Sequence, residues 1–263
     1  MARFDSHVSR FASPAGRHAA GWRASGWRKR CANMAGRTGA RPAKVTRDMD
    51  GRPEVLERTA GHCGELVLRR AGEHFEVIAN GVFLMDTRNG ASERLLVSAA
   101  AERMPGGGCL LVGGLGVGFS LAQAVAEPRV RQITVVEREP AVVGWARGPL
   151  RGFNGGALDD PRVRVVEADL VDWLTTAGDR FDAICLDVDN GPHWTVTEGN
   201  RALYGETGLA RLAERLSPRG VLAVWSAAAS PEFAASLRAR FDEVEVLSVP
   251  VARGEPDAVF VAR

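Results

Sequence analysis

Acidic side chains end three apolar stretches of this 263-residue chain, and each stretch has the length and composition of a buried strand. Glu137 ends the run ITVVE, Asp169 ends VRVVEAD, and Asp187 ends DAICLD. Asp189 follows two residues after Asp187. In open α/β sheets, ligands bind beyond the carboxyl ends of the strands. Carboxylates at that edge can accept hydrogen bonds from ribose hydroxyls or an exocyclic amine, and two in one loop can bind and deprotonate a cationic amine.

Each of these acids also has a simpler interpretation. A lone carboxylate after a strand often caps the next helix, and residues 187–192, which end in Asn-Gly-Pro, have the composition of a turn. The occurrence of Glu137 and Asp169 at successive strand ends, after a glycine-rich loop, favours a ligand site over two unrelated caps.

The glycine-rich loop separates a short apolar run at 109–112 from a helical pattern that starts at Phe119. Its glycines are Gly113, Gly114, Gly116 and Gly118. A strand, tight turn and helix of this kind directs the first helical amides at a bound ligand such as a nucleotide. The spacing matches neither the dinucleotide fingerprint nor a P-loop. The remaining form, G-x-G-x-G, is similar to the loop of S-adenosylmethionine (SAM) enzymes, and a glycine turn without a ligand is the alternative.

Composition excludes several classes of protein. No apolar run approaches 18 residues, so we expect no membrane span. The four cysteines form no C-x-x-C pair and have no histidine at metal-ligand spacing, which predicts buried thiols, no metal site and a reducing, cytoplasmic setting.

Charge is divided unevenly along the chain. Residues 1–50 hold 11 Lys and Arg against 3 Asp, whereas the remainder holds 23 basic and 29 acidic residues. The first fifty residues show no periodicity and are predicted to be a disordered basic arm. A nucleic-acid surface is disfavoured on the acidic remainder, and the arm is the one segment for which contact with nucleic acid or a membrane stays open.

Residues 51–90 show short alternating strands and are predicted to form a small β-hairpin domain. The strands are expected at 65–69, 75–78 and 82–85. Asn80-Gly81 between the last two is a strong hairpin signal. A helix is then predicted over residues 92–103, with Ser92 as its N-cap.

Residues 91–263 are predicted to form one α/β domain in which strands and helices alternate. Beyond the glycine loop, strands are expected at 133–136, 163–166, 183–186 and 221–225, and helices at about 139–147, 170–176, 203–216 and 231–240. Such alternation is typical of a buried parallel sheet. Two final strands, at 243–249 and 258–261, are joined by a short loop and predict an antiparallel hairpin. The whole is the layout of a Rossmann-like SAM-dependent transferase fold, with a mostly parallel seven-stranded sheet.

Residues 113–226 resemble the spermidine synthase family of polyamine aminopropyltransferases, within the class I SAM-dependent methyltransferase superfamily. The resemblance rests on the runs LLVGGLGVG, ITVVEREPAVVGWAR, LDDPRVRVVEADLVDWL, FDAICLDVDNGP and ALYGETGLARLAERLSPRGVLAVWS. The hairpin FEVIANGVFLMD is similar to that family's N-terminal β domain. The resemblance therefore extends over about residues 65–263.

The resemblance implies transfer of an aminopropyl group from decarboxylated SAM to an amine, without a metal. The donor would be bound by the loop glycines, by Glu137 at the ribose, by Asp169 and Leu170 at the adenine, and by Asp187. It also implies a small amine acceptor and a homodimer formed through the hairpin domain.

The acceptor amine would be bound beside the end of the strand that precedes Asp187. Asp187, assisted by Asp189, is expected to bind and deprotonate it. Tyr204 would line the amine channel, and Trp194 would cover the site or pack against it.

The chain departs from the family's pattern around the amine. An aspartate usual in the glycine loop is replaced by Gly116, and Tyr-His-Glu before the first large helix by Ala91-Ser92-Glu93. The second acid of Asp-x-x-Asp-Pro is displaced to Asp189, and a glutamine expected after the hairpin's Gly81-Val82 is absent. Because Gly116 leaves room for a donor carboxylate, a methyltransferase that uses intact SAM is one alternative. A non-catalytic protein that binds a nucleoside or a partner chain is the other.

Overall fold

A computed structural model describes residues 53–192, 194–195 and 197–263, without the side chain of Glu198. The predicted basic arm at residues 1–50 lies outside the described residues. Within the described part of the chain, no helix is both long and apolar enough to cross a lipid bilayer.

The first four strands form an antiparallel sheet in the order β1-β2-β3-β4. They are β1 (Glu54–Gly61), β2 (Gly64–Ala71), β3 (His74–Ala79) and β4 (Val82–Asp86). The turn between β3 and β4 is the predicted Asn80-Gly81, and both residues have positive φ, 50° and 78°, as a tight two-residue hairpin requires.

Strand β1 is absent from the sequence prediction, which began the sheet at residue 65. It is an edge strand that is exposed along most of its length on both faces, so its sequence carries no alternation of apolar and polar residues. Antiparallel pairing with β2 holds it in place, from Glu54 opposite Arg70 to Gly61 opposite Gly64.

The second sheet has seven strands in the order β10-β11-β9-β8-β5-β6-β7. Its elements in chain order are α1 (Ala91–Arg103), β5 (Gly108–Gly113), α2 (Phe119–Ala126), β6 (Val130–Glu137), α3 (Pro140–Arg147), β7 (Val163–Glu167), α4 (Leu170–Thr176), β8 (Phe181–Leu186), α5 (Arg201–Tyr204), α6 (Glu206–Arg215), β9 (Leu216–Ser226), α7 (Pro231–Arg238), β10 (Val244–Val249) and β11 (Asp257–Ala262), with single 3-10 turns at Ala157–Asp159 and Glu198–Asn200. Strands β5 to β9 are parallel, and β11 runs antiparallel to both β9 and β10. The predicted sheet and its C-terminal hairpin are confirmed.

Alternate residues of the central strand β5 enter two different hydrophobic cores. Leu110 and Val112 pack in the core that also contains Leu96 of α1. Leu111 faces the opposite side of the sheet and packs with Leu212 of α6. All are fully buried, and burial of each leucine contributes about 1.5–3 kcal/mol. The cores on both faces therefore fix the position of the strand that leads into the glycine loop.

Two local predictions were wrong. The helix predicted over 203–216 is two helices, because Gly205 adopts an extended conformation and serves as the N-cap of α6. Ser92 does not cap α1: Gly90 occupies the N-cap position. Ser92 is instead buried in the first turn, and its hydroxyl donates to Asp257 Oδ2 at 2.7 Å.

Candidate active site

The glycine loop passes directly over the end of β8. The Asp187 amide donates to the Gly113 carbonyl at 2.8 Å, and the Gly114 amide donates to Val136 O at 2.9 Å. Gly114 has φ 86°, and a Cβ there would collide with the Asp187 carbonyl oxygen. Only glycine combines this left-handed conformation with so close an approach.

The far side of the loop is more open. A Cβ built on Gly116 would have Met85 Sδ as its nearest neighbour, at 3.5 Å. Met85 belongs to β4, so the small sheet borders the loop. Gly118 is the N-cap of α2, whose first amides consequently lie at this edge of the sheet.

Glu137 supports the loop with both carboxylate oxygens. Its Oε2 accepts from the Leu115 amide at 2.9 Å, and its Oε1 accepts from the Glu139 amide at 2.8 Å. Burial raises the pKa of Glu137, and these two hydrogen bonds oppose the rise. Each oxygen has a second lone pair, so the carboxylate can hold the loop and still accept from a ribose hydroxyl.

Asp169 is the N-cap of α4, as the simpler interpretation of a lone acid expects. Its Oδ1 accepts from the amides of Val171 at 2.9 Å and Asp172 at 3.2 Å. Its Oδ2 lies 4.0 Å from Arg138 Nη1. One oxygen therefore caps the helix, while the other lies near the Arg138 guanidinium.

Glu137 and Asp169 lie at the same edge of the sheet, since Glu137 pairs with Glu167 in the β6–β7 register. Leu170, the first residue of α4, is buried. A Cβ on Gly113 would lie 2.6 Å from Leu170 Cδ2. The leucine thus packs against the start of the loop, where the sequence predicts the adenine.

Arg138 lies among these acids and was not predicted as a site residue. Its side chain is 18% exposed and donates to Glu139 Oε1 and to Thr197 Oγ1, each at 3.2 Å. Glu139 in turn accepts from the His62 amide in the turn between β1 and β2, at 2.9 Å. Because Thr197 and Asp169, which also lie beside the Arg138 guanidinium, come from distant parts of the chain, no local sequence pattern identifies Arg138.

Asp187 follows β8 and is tied to α2. Its Oδ2 accepts a hydrogen bond from the Ser120 hydroxyl at 2.7 Å. Burial raises the pKa of Asp187 to about 6, the Ser120 hydrogen bond lowers it in part, and the charge of Glu137 raises it further. A carboxylate with this proton affinity can both bind an ammonium and accept a proton near neutral pH.

Glu93, in the first turn of α1, is a second acid of this site that the sequence prediction missed. Burial and the charge of Asp187 raise the pKa of Glu93 to about 7. The Ser92 hydroxyl lies 3.0 Å from Glu93 Oε2, and the Ser120 hydroxyl lies 3.4 Å from the Glu93 carbonyl. The available signal was that Glu93 keeps the glutamate of the family's Tyr-His-Glu.

Two further predicted site residues, Asp189 and Tyr204, support the loop after β8. Asp189 has φ 56° and accepts from Asn200 Nδ2 at 2.7 Å. The Tyr204 hydroxyl donates to Val188 O at 2.8 Å, and its ring packs edge-on against Phe233. Burial raises the pKa of Tyr204. The side chain is 7% exposed, so Tyr204 braces the loop from within the core.

Trp194 is set apart from the other predicted site residues by its exposure. Its side chain is 49% exposed. Of the predicted residues, the structure therefore brings the glycine loop, Glu137, Asp169 with Leu170, and Asp187 to one edge, and it places Asp189 and Tyr204 in the adjoining loop.

The strand order and this edge of the sheet define a Rossmann-like α/β protein of the SAM-dependent transferase type. A family model described as the spermine/spermidine synthase domain matches residues 93–237, which is more than half of the chain. The chain belongs to the spermine/spermidine synthase family, and the resemblance found in its sequence is confirmed.

Curated relatives are named polyamine aminopropyltransferases. The chain is 34% identical to one from Mycobacterium tuberculosis (strain H37Rv) over 165 residues, which are 61% of this chain and 30% of the relative. It is 36% identical to polyamine aminopropyltransferase 1 of Streptomyces coelicolor over 132 residues, 49% of this chain and 24% of the relative. The matched region thus spans less than a third of the length of these relatives.

Among solved structures, the chain resembles spermidine synthase from Thermotoga maritima with a TM-score of 0.65. The likeness covers 80% of this chain and 72% of that one at 16% sequence identity. At this identity the comparison shows a shared fold, and it supports the Rossmann-like assignment.

Proposed function

We propose that this protein transfers an aminopropyl group from decarboxylated SAM to a small amine. The observation that carries the proposal is Asp187, a partly buried carboxylate at the end of β8 whose backbone contacts the glycine loop and whose pKa is raised to about 6. Family membership and the names of the curated relatives support the same reaction.

The reaction is an in-line displacement. The neutral amine nitrogen of the acceptor attacks the propyl carbon next to the sulfonium, the carbon–sulfur bond breaks, and its electron pair leaves with methylthioadenosine. Alignment of the two reactants can supply up to roughly 7–11 kcal/mol. Asp187 takes the proton of the acceptor amine, which typically contributes about 10²–10⁴-fold.

The donor is placed by the loop and the two acids on either side of it. Glu137 would accept from the ribose hydroxyls, and Asp169 Oδ2 from the exocyclic amine of adenine. Leu170 and the loop glycines would pack against the nucleoside. Decarboxylated SAM is the donor of the proposed aminopropyl transfer, and intact SAM is the donor of the alternative methyl transfer.

The acceptor would enter beside the loop that follows β8. In this proposal Asp189 binds the acceptor ammonium distal to the reacting nitrogen, Tyr204 holds the loop in position, and Trp194 covers the entrance. A small-molecule amine is the partner that this arrangement fits. A homodimer and a cytoplasmic location remain predictions, and contact of the basic arm with nucleic acid or a membrane remains the alternative to a plain disordered arm.

A methyltransferase is the second candidate, and the openness at Gly116 favours it. No charged side chain stands at that position of the loop, and among the described residues only Met85 Sδ lies within 4 Å of a Cβ built there. The carboxylate of intact SAM would meet no acid from the loop itself.

Incubation of the purified protein with each sulfonium donor and a panel of di- and triamines, read by mass spectrometry, tests the proposal. We expect an aminopropylated amine and methylthioadenosine. A methylated product would instead establish the rival reaction, and the absence of any product with all donors would favour the non-catalytic alternative. Asp187→Asn should lower turnover at least about a hundredfold, whereas Asp242→Asn, at an exposed position, should leave it unchanged.

A further inference from the structure

We propose that Glu93 and Asp187 together bind the terminal ammonium of the donor's aminopropyl chain, and that Glu93 thereby makes the site select a decarboxylated donor over intact SAM. The inference rests on the proposed function, because it assigns the donor's chemical class at the same site.

The chemistry of the donor requires such a residue. Decarboxylated SAM carries one positive charge on sulfur and a second on its primary amine. The segment between Gly113 and Phe119 has no charged side chain. The second charge must therefore be met by acids that reach the loop from other elements.

Helix α1, helix α2 and the end of β8 meet at Ser120, and two of them carry the acids Glu93 and Asp187. The Ser120 hydroxyl, at the start of α2, donates to Asp187 Oδ2 at 2.7 Å and lies 3.4 Å from the carbonyl oxygen of Glu93. The first turn of α1 is thus held against the end of β8. The Ser92 hydroxyl lies 3.0 Å from Glu93 Oε2, and the same hydroxyl donates to Asp257 Oδ2 at 2.7 Å. The Glu93 side chain is thus held by its neighbour Ser92, in a helical turn that the Ser120 contact places beside Asp187.

The groups that face Glu93 are mostly acidic. Asp187 and Asp257 both raise its pKa by their charge, after burial, which is the largest cause. Arg94, the adjacent cation on α1, stacks instead over the Phe119 ring, 4.5 Å from its centroid. Two partly buried carboxylates that repel each other are stabilised when a cation binds between them.

This arrangement distinguishes donors by charge. An ammonium lets Glu93 and Asp187 both ionise, so its binding releases a proton from the pair. Intact SAM adds a carboxylate on the carbon that bears the amine, and that carboxylate would meet two acids. Methylthioadenosine has no aliphatic ammonium and should not displace the proton.

Titration calorimetry at pH 6.5, in two buffers of different ionisation enthalpy, tests the inference with decarboxylated SAM, intact SAM and methylthioadenosine. We expect the decarboxylated donor to bind at least about tenfold more tightly than intact SAM, and to release about half a proton or more. Glu93→Gln should weaken its binding about tenfold or more and abolish most of the release. Binding of methylthioadenosine, which reports on the fold and the nucleoside site, should change less than about twofold.

Glu102→Gln is the matched control, because Glu102 lies on the same helix with its side chain 75% exposed. It should alter neither affinity nor proton release. Equal weakening of all three ligands by Glu93→Gln would show a structural role and overturn the inference, as would unchanged binding of the decarboxylated donor. If Glu93-dependent binding and proton release occur but no aminopropylated product forms, the proposed function fails and the inference stands. If product forms while Glu93→Gln binds the donor normally, the proposed function stands and the inference about Glu93 fails.

Discussion

The hydroxyl of Ser120 donates a hydrogen bond to Oδ2 of Asp187 at 2.7 Å, although 67 residues separate the two in the chain. Ser120 is fully buried in the first turn of α2, which begins directly after the glycine loop. The bond therefore ties the proposed base to the helix whose first amides lie beside the glycine loop. It also favours the ionised form of the carboxylate.

The activity should depend on pH through Asp187. Because the base must be ionised to take a proton, kcat/KM should fall as the pH drops through about 6. Ser120→Ala removes a hydrogen bond that lowers the pKa of Asp187, so the acid limb of the profile should move to higher pH. The measurement is the pH profile of kcat/KM for both proteins. Ser236→Ala, at an exposed serine of α7, should leave the profile in place, and an unmoved limb in Ser120→Ala would contradict the assignment.

The free energy of unfolding should decrease as the pH rises, because of Glu93. Its pKa in the folded state, about 7, is above its ordinary value of 4.5, so the folded state binds the proton more tightly than the unfolded chain. That contribution is fully present below about pH 4.5 and is lost as the pH rises through 7. Glu93→Gln should therefore raise the free energy of unfolding, relative to the wild type, by about 1–3 kcal/mol more at pH 8 than at pH 5.

Denaturant unfolding at the two pH values measures the Glu93 effect. Glu102→Gln, on the exposed side of the same helix, serves as the comparison and should show no such difference. A Glu93→Gln protein whose stability follows the wild type in parallel from pH 5 to pH 8 would be inconsistent with a raised pKa.

Substitution of Gly114 should be more damaging than the same change at Gly116. Both have positive φ, 86° and 54°, which for alanine costs about 1–2 kcal/mol. A Cβ at Gly114 would also collide with the Asp187 backbone, whereas at Gly116 its nearest neighbour in the described part of the chain would be Met85 Sδ, at 3.5 Å. Thermal unfolding should give Gly114→Ala a clearly lower Tm than Gly116→Ala. The Gly114→Ala protein should also lose methylthioadenosine binding. Equal losses would mean that the contact with Asp187 is relaxed at little cost.

Two substitutions of Asp169 should distinguish its role as a helix cap from its proposed role in donor binding. Asp169→Ala removes the cap of α4 and should lower stability by about 1 kcal/mol. Asp169→Asn keeps a capping oxygen and should fold as stably as the wild type, because asparagine is an equally good N-cap. Its amide group would replace Oδ2 and cannot accept from adenine, so binding of methylthioadenosine should weaken about tenfold. If the asparagine variant binds normally, Asp169 is only a cap.

The family, the alternation of strands and helices, and the acids at the strand ends could all be predicted from the sequence, because each depends on residues close together in the chain. The seven-stranded sheet follows from buried strands that read as apolar runs. Strand β1 could not be predicted, because an edge strand exposed on both faces has no periodic signal. The break at Gly205 was hidden within a continuous helical pattern.

The sequence alone determined which residues reach the carboxyl edge of the sheet: Glu137, Asp169 and Asp187 each follow a strand, and the glycines allow the loop to approach them. Only the tertiary structure decided what accompanies them there. Glu93 and Arg138 join the site because α1, α2 and the loop after β8 pack together, through contacts that span 27 to 67 residues of chain. Side-chain periodicity records which face of an element is buried, but it carries no information on which distant element covers that face.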